Sequence, residues 1–324
     1  MEKNTLQVRH LCTSFVYGHK KVDAVKDVSI HVPERTIIGI VGESGCGKSM
    51  TARSIMGLLR YPGKIVGGSI ELAGKELTKL TDKEMAHVRG REISMIFQEP
   101  MTSLNPVMKV GKQVQEAVLL HGKTTRKDAK QQVLQMFEKV GISDPEKRYH
   151  CYPHELSGGL RQRVMIAMAM ICRPKLLIAD EPTTALDVTV EAQILELMKK
   201  LRDEIGTSVI LISHNLGVVA QLCDYVYVMY AGRVVEQADT VTLFKNPRHP
   251  YTKGLIGAVQ SLQKKQPVLN TIPGSVPALD KLPAGCSFGP RCGSCREKCQ
   301  ASMPELCAVS KDHLVRCHLT EQEA

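Results

Sequence analysis

The segment Thr36–Ile37–Ile38–Gly39–Ile40–Val41 is a continuous apolar run of strand length that feeds directly into Gly42–Glu43–Ser44–Gly45–Cys46–Gly47–Lys48–Ser49. A run apolar on both faces reads as a buried parallel strand. The pattern Gly42-x-x-x-x-Gly47-Lys48-Ser49 after it completes a phosphate-binding loop in the strand–loop–helix setting that such loops require. Glycines let backbone N–H groups wrap phosphate oxygens, and the N-terminus of the following helix, from Met50 onward, adds favourable partial positive charge. Lys48 is placed to reach the β- and γ-phosphates and Ser49 to ligate Mg2+. Few architectures other than an α/β sheet can present this loop.

The 324 residues allow one large α/β domain with an appendage. Hydrophobic content of 43% and charged content of 23% exclude a disordered or fibrous chain. The longest apolar run, Val164–Cys172, falls far short of the roughly 20 residues that span a bilayer, and Met1–His10 has no secretion-signal core. A cytosolic chain is expected. The net charge of +10 is not concentrated in any run of like charges, and aromatics at 4% with no Trp weaken a single-strand stacking role.

Beyond the loop, Asp82–Tyr149 turns polar, with helical spacing at Val110–Leu120 and Ala129–Val140. Alternating elements then resume: helix Arg161–Cys172, strand Lys175–Ala179, helix Val188–Ile205, strand Ser208–Ser213, helix Leu216–Leu222, and a hairpin of Tyr225–Tyr230 with Arg233–Gln237 across Ala231–Gly232. Strands alternating with helices predict a mostly parallel, doubly wound sheet. The early segments Leu6–Val8 and Val25–Val32 read as short strands. Past Pro247 the pattern gives way to a short helix near Tyr251–Leu262, a Pro-rich linker and a small cysteine knot.

Leu176–Leu177–Ile178–Ala179–Asp180–Glu181 is a buried strand ending in two acids at its carboxyl edge, where open α/β sheets bind ligands. Asp180 suits the Mg2+ shell; Glu181, one residue on, suits a general base that polarises an attacking water. Upstream, Leu156–Ser157–Gly158–Gly159–Leu160–Arg161–Gln162–Arg163 opens a helix with a serine and glycines, a second anion site. A chain that already owns a phosphate loop needs no second site for one γ-phosphate, so this one is expected to serve a partner's nucleotide.

Here the sequence resembles the ATP-binding-cassette (ABC) ATPases over roughly Leu6 to Ala258. The resemblance implies a P-loop NTPase of RecA-like α/β fold over residues 1–258, with an antiparallel β subdomain and an inserted α-helical subdomain at about 99–160, followed by a small Cys-rich C-terminal extension over 259–324. It implies ATP and Mg2+ as ligands, with Gln98 as the loop glutamine that senses Mg2+ and couples to membrane subunits. Ala185–Leu186–Asp187 resembles the loop crossing the dimer interface, and His214 the switch histidine on the γ-phosphate. Phe15 stands where the family places an aromatic against adenine, with Tyr17 as a rival. Ser157, Gly158 and Gly159 would complete the opposite site of a head-to-tail dimer. Leu160 replaces the commoner Gln or Met, and Asn215 an Asp often found after the histidine; neither removes a chemical group from hydrolysis.

The stretch from Phe97 to Pro106 and the stretch from Asn246 to Thr252 resemble the dipeptide/oligopeptide importer branch. That implies an ATPase subunit on the cytoplasmic face of the membrane, paired with a second, distinct ATPase chain beneath two membrane permease subunits and fed by an extracytoplasmic solute-binding protein. Nickel and other small solutes are alternative cargoes in the same branch. A nucleic-acid-associated cassette is the runner-up: chromosome-maintenance cassettes need long coiled coils that do not fit here, and translation-factor cassettes carry two copies per chain.

Six of the eleven cysteines fall in the tail: Cys286, Cys292, Cys295, Cys299, Cys307 and Cys317. Spacing alone admits zinc, a [4Fe–4S] cluster or redox thiols. The branch often ends in a Cys-x5-Cys-x6-Cys…Cys pattern that holds a [4Fe–4S] cluster. Cys286, Cys292, Cys299 and Cys317 match it, with Zn2+ the alternative and Cys295 and Cys307 left over. Cys46, inside the phosphate loop, is expected to be open to oxidation, with alkylation there blocking ATP.

Overall fold

The computed structural model describes residues 3–98, 103–184, 187–263 and 272–320. They form two compact units. One consists of Met1–Thr5, Pro33–Thr36 and Lys79–Ile210; the other of Leu6–Val32, Ile37–Thr78 and Leu211–Ala324. Among the described residues no helix is long and apolar enough to cross a membrane.

In the unit built mainly from Lys79–Ile210, Ile93–Ile96 and Leu176–Asp180 pair in parallel, Ile93 opposite Leu176 and Ile96 opposite Ala179. The helix Asp82–Val88 precedes them, and between them the chain is helical: Val110–His121, Arg126–Lys139, Pro145–Tyr149 and Gly158–Met170. The helix Arg126–Lys139 begins three residues before its apolar spacing does, because Thr125 caps it: the Thr125 hydroxyl accepts from the Asp128 N–H at 3.2 Å. The following helix, Val188–Ile205, is capped by Asp187 and stopped at Gly206 in the left-handed region.

The other unit holds two sheets. Lys20–Pro33, Asn4–Tyr17, Gly63–Leu72 and Lys75–Glu76 line up in that order in a four-stranded sheet. The two long strands replace the short segments expected, since inward positions alternate along both (Leu6, Val8, Leu11, Val25, Val28, Ile30, Val32 are buried) and polar residues fill the other face. In the second sheet Ile37–Val41 runs parallel to Tyr225–Tyr230, Ile38 opposite Tyr225 and Val41 opposite Val228. Arg233–Asp239 then folds back antiparallel. The turn is Ala231–Gly232, both with positive φ (46° and 85°), the geometry a tight two-residue hairpin needs.

The tail, expected to be a small knot, adds strands to this sheet. His313–Val315 pairs antiparallel with the strand Arg233–Asp239, Glu236 opposite Val315, and Cys307–Ser310 pairs with His313–Val315 at the edge. The imidazole of His313 lies 2.8 Å from the carboxylate of Glu236, both fully withdrawn from water. The same carboxylate accepts the Arg248 and His249 N–H groups. A segment too small for its own core thus borrows one from the sheet beside it.

Candidate functional site

The strand Ile37–Val41 is wholly buried, and its last residue delivers the chain to Gly42. Gly42 has φ near 147°, and a Cβ there would stand 2.2 Å from the Met229 carbonyl, so no other residue fits. Gly47, left-handed, precedes the helix Lys48–Ile55. Ser44 and Gly45 at the crest are exposed, while Ser49 and Met50 are half-buried at the start of the helix. The ammonium of Lys48 is buried and donates to the loop's own carbonyls, Gly42 at 2.7 Å and Glu43 at 3.1 Å. That places the cation inside the ring of backbone groups that would meet phosphate oxygens.

Cys46 departs from the expectation. Its side chain is fully buried under the loop, and burial pushes the thiol up from its ordinary range, outweighing the Lys48 cation beside it. The structure therefore makes it an inert packing residue and not an oxidisable one.

Glu43 carries the contacts that sequence reasoning missed. Its N–H donates to the Tyr251 hydroxyl at 2.8 Å, and its carboxylate accepts Nη1 and Nη2 of Arg291 at 2.7 and 3.0 Å. Nothing in the spacing of residues so distant in sequence signals this pairing.

In the same unit His214 stands exposed one residue beyond the strand Ser208–Ser213. Asn215 caps the next helix through Oδ1, accepting from the Gly217 and Val218 N–H groups, so the Asp-to-Asn departure keeps the cap. Phe15 lies opposite Gly63 on the neighbouring strand and is half-buried, whereas Tyr17 is 59% exposed.

The first unit brings Gln98 and Glu181 together. Because Ile96 and Ala179 are register partners, the chain leaves both strands side by side, and Gln98 Nε2 donates to Glu181 Oε2 at 2.9 Å. The Thr184 hydroxyl donates to the same oxygen at 3.1 Å. Glu181 sits at φ 49°, a conformation rare outside glycine, while Asp180 before it remains buried at the strand end. Ser157 opens the helix Gly158–Met170, its hydroxyl accepting from Leu160 N–H at 3.3 Å. Gly158 and Gly159 form its first turn, and a Cβ on Gly159 would press within 3.0 Å of Val190. Asp187 caps the helix that Val190 belongs to. Ala185 and Leu186 of the expected interface loop, and Glu99–Thr102 of the importer-like stretch, lie outside the described residues.

Cys286, Cys292, Cys299 and Cys317 line one pocket, together with His249 and Phe288. Cys286 N–H donates to the Cys299 carbonyl at 2.7 Å, which ties these two together, and a turn closes after Cys286, with Gly289 N–H donating to the Cys286 carbonyl at 2.9 Å. Burial pushes the Cys286 and Cys292 thiols up, and that of Cys317 to about 11. Cys295 and Cys307 do not line the pocket; Cys307 opens the edge strand. Among the described residues no three His, Cys, Asp or Glu side chains converge closely enough to hold a metal ion as they stand.

Comparison with known proteins agrees with these features. Residues 25–184 match the ABC transporter family, and residues 235–299 match the oligopeptide/dipeptide transporter C-terminal region. Over 98% of this chain and 97% of its own length, the oligopeptide transport ATP-binding protein AppD of Bacillus subtilis (strain 168) is 49% identical. The dipeptide transport ATP-binding protein DppD of the same organism is 50% identical over 100% of this chain and 97% of its own length. Among solved structures, the ATP-binding cassette MJ0796, in a dimeric post-hydrolysis state bound to ADP and Pi, aligns with a TM-score of 0.65 at 25% identity, over 72% of this chain and 98% of that one. CbiO1 of Clostridium perfringens, part of the ABC transporter complex cbiONQ, aligns with a TM-score of 0.66 at 26% identity, over 81% and 100%.

Proposed function

Because this chain belongs to the ABC transporter ATPases, with the C-terminal region of their oligopeptide/dipeptide branch, we propose that it powers uptake of di- and oligopeptides across the cytoplasmic membrane. The observation that carries this reading is near-complete alignment at about half identity with peptide transport ATP-binding proteins, through the tail as well as the cassette. It would act from the cytoplasmic face, paired with a second ATPase subunit, beneath two permease subunits served by an extracytoplasmic binding protein. Residues 1–258 would form the cassette, with the helical subdomain at about 99–160, and residues 259–324 the extension.

The chain is an ATP hydrolase, and its residues suggest a division of labour. The Gly42–Ser49 backbone would cradle the phosphates, with Lys48 turning from its own carbonyls to the β- and γ-oxygens. Phe15 would stack on adenine. Mg2+, held by Ser49, Gln98 and Asp180, would neutralise phosphate charge. Glu181, its carboxylate aimed by Gln98 and Thr184, would take the proton of the attacking water, while His214 would contact the γ-phosphate. Ser157, Gly158, Gly159 and Asp187 would close over the nucleotide of the partner subunit, so that two ATPs bind the dimer shut and hydrolysis releases it.

Cys286, Cys292, Cys299 and Cys317 would hold a [4Fe–4S] cluster, with Zn2+ the alternative. Four thiols around one apolar pocket are the donor set that either group takes. The group would cross-link the tail.

The test of transport is uptake of labelled di- and oligopeptides by cells lacking this chain. Complementation by the wild type but not by Lys48→Ala supports the reading; uptake unaffected by loss of the chain overturns it.

A further inference from the structure

Glu43 is held at every polar group it has. Its N–H goes to Tyr251, its carbonyl accepts from Lys48 and from the Cys46 N–H, and both carboxylate oxygens are taken by Arg291. Two of these partners come from the C-terminal quarter of the chain. Arg291 is itself rigid: Nε donates to the Pro273 carbonyl at 2.8 Å, Nη2 reaches the Ile272 and Gly274 carbonyls, and the guanidinium lies 5.9 Å from the centre of the Tyr230 ring. Its side chain is 4% exposed and that of Glu43 30%. A two-pronged, charge-assisted contact that far from water is strong and directional. It is also electrostatically apt, because an unpaired carboxylate in a phosphate loop would repel the polyanion the loop must hold.

We propose that Arg291 is a positioning residue for nucleotide binding. By neutralising and clamping Glu43 it keeps the Gly42–Ser49 loop in its phosphate-receiving shape, so the cysteine-bearing segment that carries Arg291 sets the affinity for ATP. The inference rests on ATP binding at this loop, as proposed above, and is independent of what the cysteines hold.

The test uses the full-length chain with Mg–ATP, comparing wild type, Arg291→Ala, Arg291→Lys, Glu43→Gln and the double variant Arg291→Ala/Glu43→Gln. Arg291→Ala is expected to weaken ATP binding about tenfold while kcat at saturating ATP stays within about twofold. Arg291→Lys keeps the charge without the fork and should recover part of the affinity. In the Glu43→Gln background, where there is no carboxylate to neutralise, the further loss from Arg291→Ala should shrink to about twofold or less. ATP binding by Arg291→Ala at wild-type strength overturns the proposal, as does an equal loss with and without the Glu43 carboxylate. If Arg291→Ala does not fold, the same cycle run with Arg291→Lys decides the matter. A wild-type chain that fails to bind ATP would instead overturn the functional reading.

Discussion

At Glu181 the backbone adopts a left-handed conformation that costs about 1–3 kcal/mol for a residue with a side chain. Hydrogen bonds from Gln98 and Thr184 to one carboxylate oxygen accompany that strain and fix where the carboxylate points. Glu181→Gln keeps shape and removes the base. Turnover should fall at least about 100-fold while ATP still binds, and the variant should accumulate as an ATP-bound dimer on gel filtration. Normal turnover would remove Glu181 from the role of base. Cys46 yields an opposite prediction to the one its place in the motif invites. With the thiol raised by burial and shielded from solvent, iodoacetamide at pH 7.5 should modify it only after unfolding. Mass spectrometry of the peptide containing Cys46, with and without denaturant, reads this directly.

Among the elements, those with local signals were legible at close to their observed bounds. Val188–Ile205, Ser208–Ser213, Leu216–Leu222 and Tyr225–Tyr230 all coincide with expectation, because apolar period, caps and turn residues agree there. The turn at Gly232 shows why one residue type is required: φ is 85°, and a Cβ would meet the Ala24 carbonyl at 2.7 Å. Gly232→Val should destabilise the protein by about 2–4 kcal/mol, measured by urea unfolding. The strand Gly63–Leu72 escaped notice because its glycines break the apolar alternation. The edge hairpin of the tail did so because three residues, His313–Val315, are too few to show a period. Its anchor is the buried contact between His313 and Glu236, so His313→Ala should cost about 1–3 kcal/mol in the same assay and loosen the tail to proteolysis.

For the molecule as a whole, the chemistry of the tail is the deciding quantity. Protein purified without oxygen should carry about four irons and four sulfides per chain, and Cys292→Ser should lose them. Zinc without iron would select the alternative group. Removal of the metal by a chelator should lower the melting temperature of the full chain, since a cross-link that stabilises only the folded tail is lost.

The sequence by itself determined the family, the phosphate loop, the acidic strand end and the helix opened by Ser157. Each is written in contiguous residues whose conformation follows from local sterics, capping and apolar period. Tertiary structure alone decided that the tail adds strands to the sheet, while the four cysteines that the resemblance singled out, Cys286, Cys292, Cys299 and Cys317, line one pocket without Cys295 or Cys307. It alone joined Arg291 to Glu43. These outcomes depend on which distant surfaces meet once the strands have paired, and the pairing of Glu43 with Arg291 across more than two hundred residues leaves no periodic trace in the residues that make it.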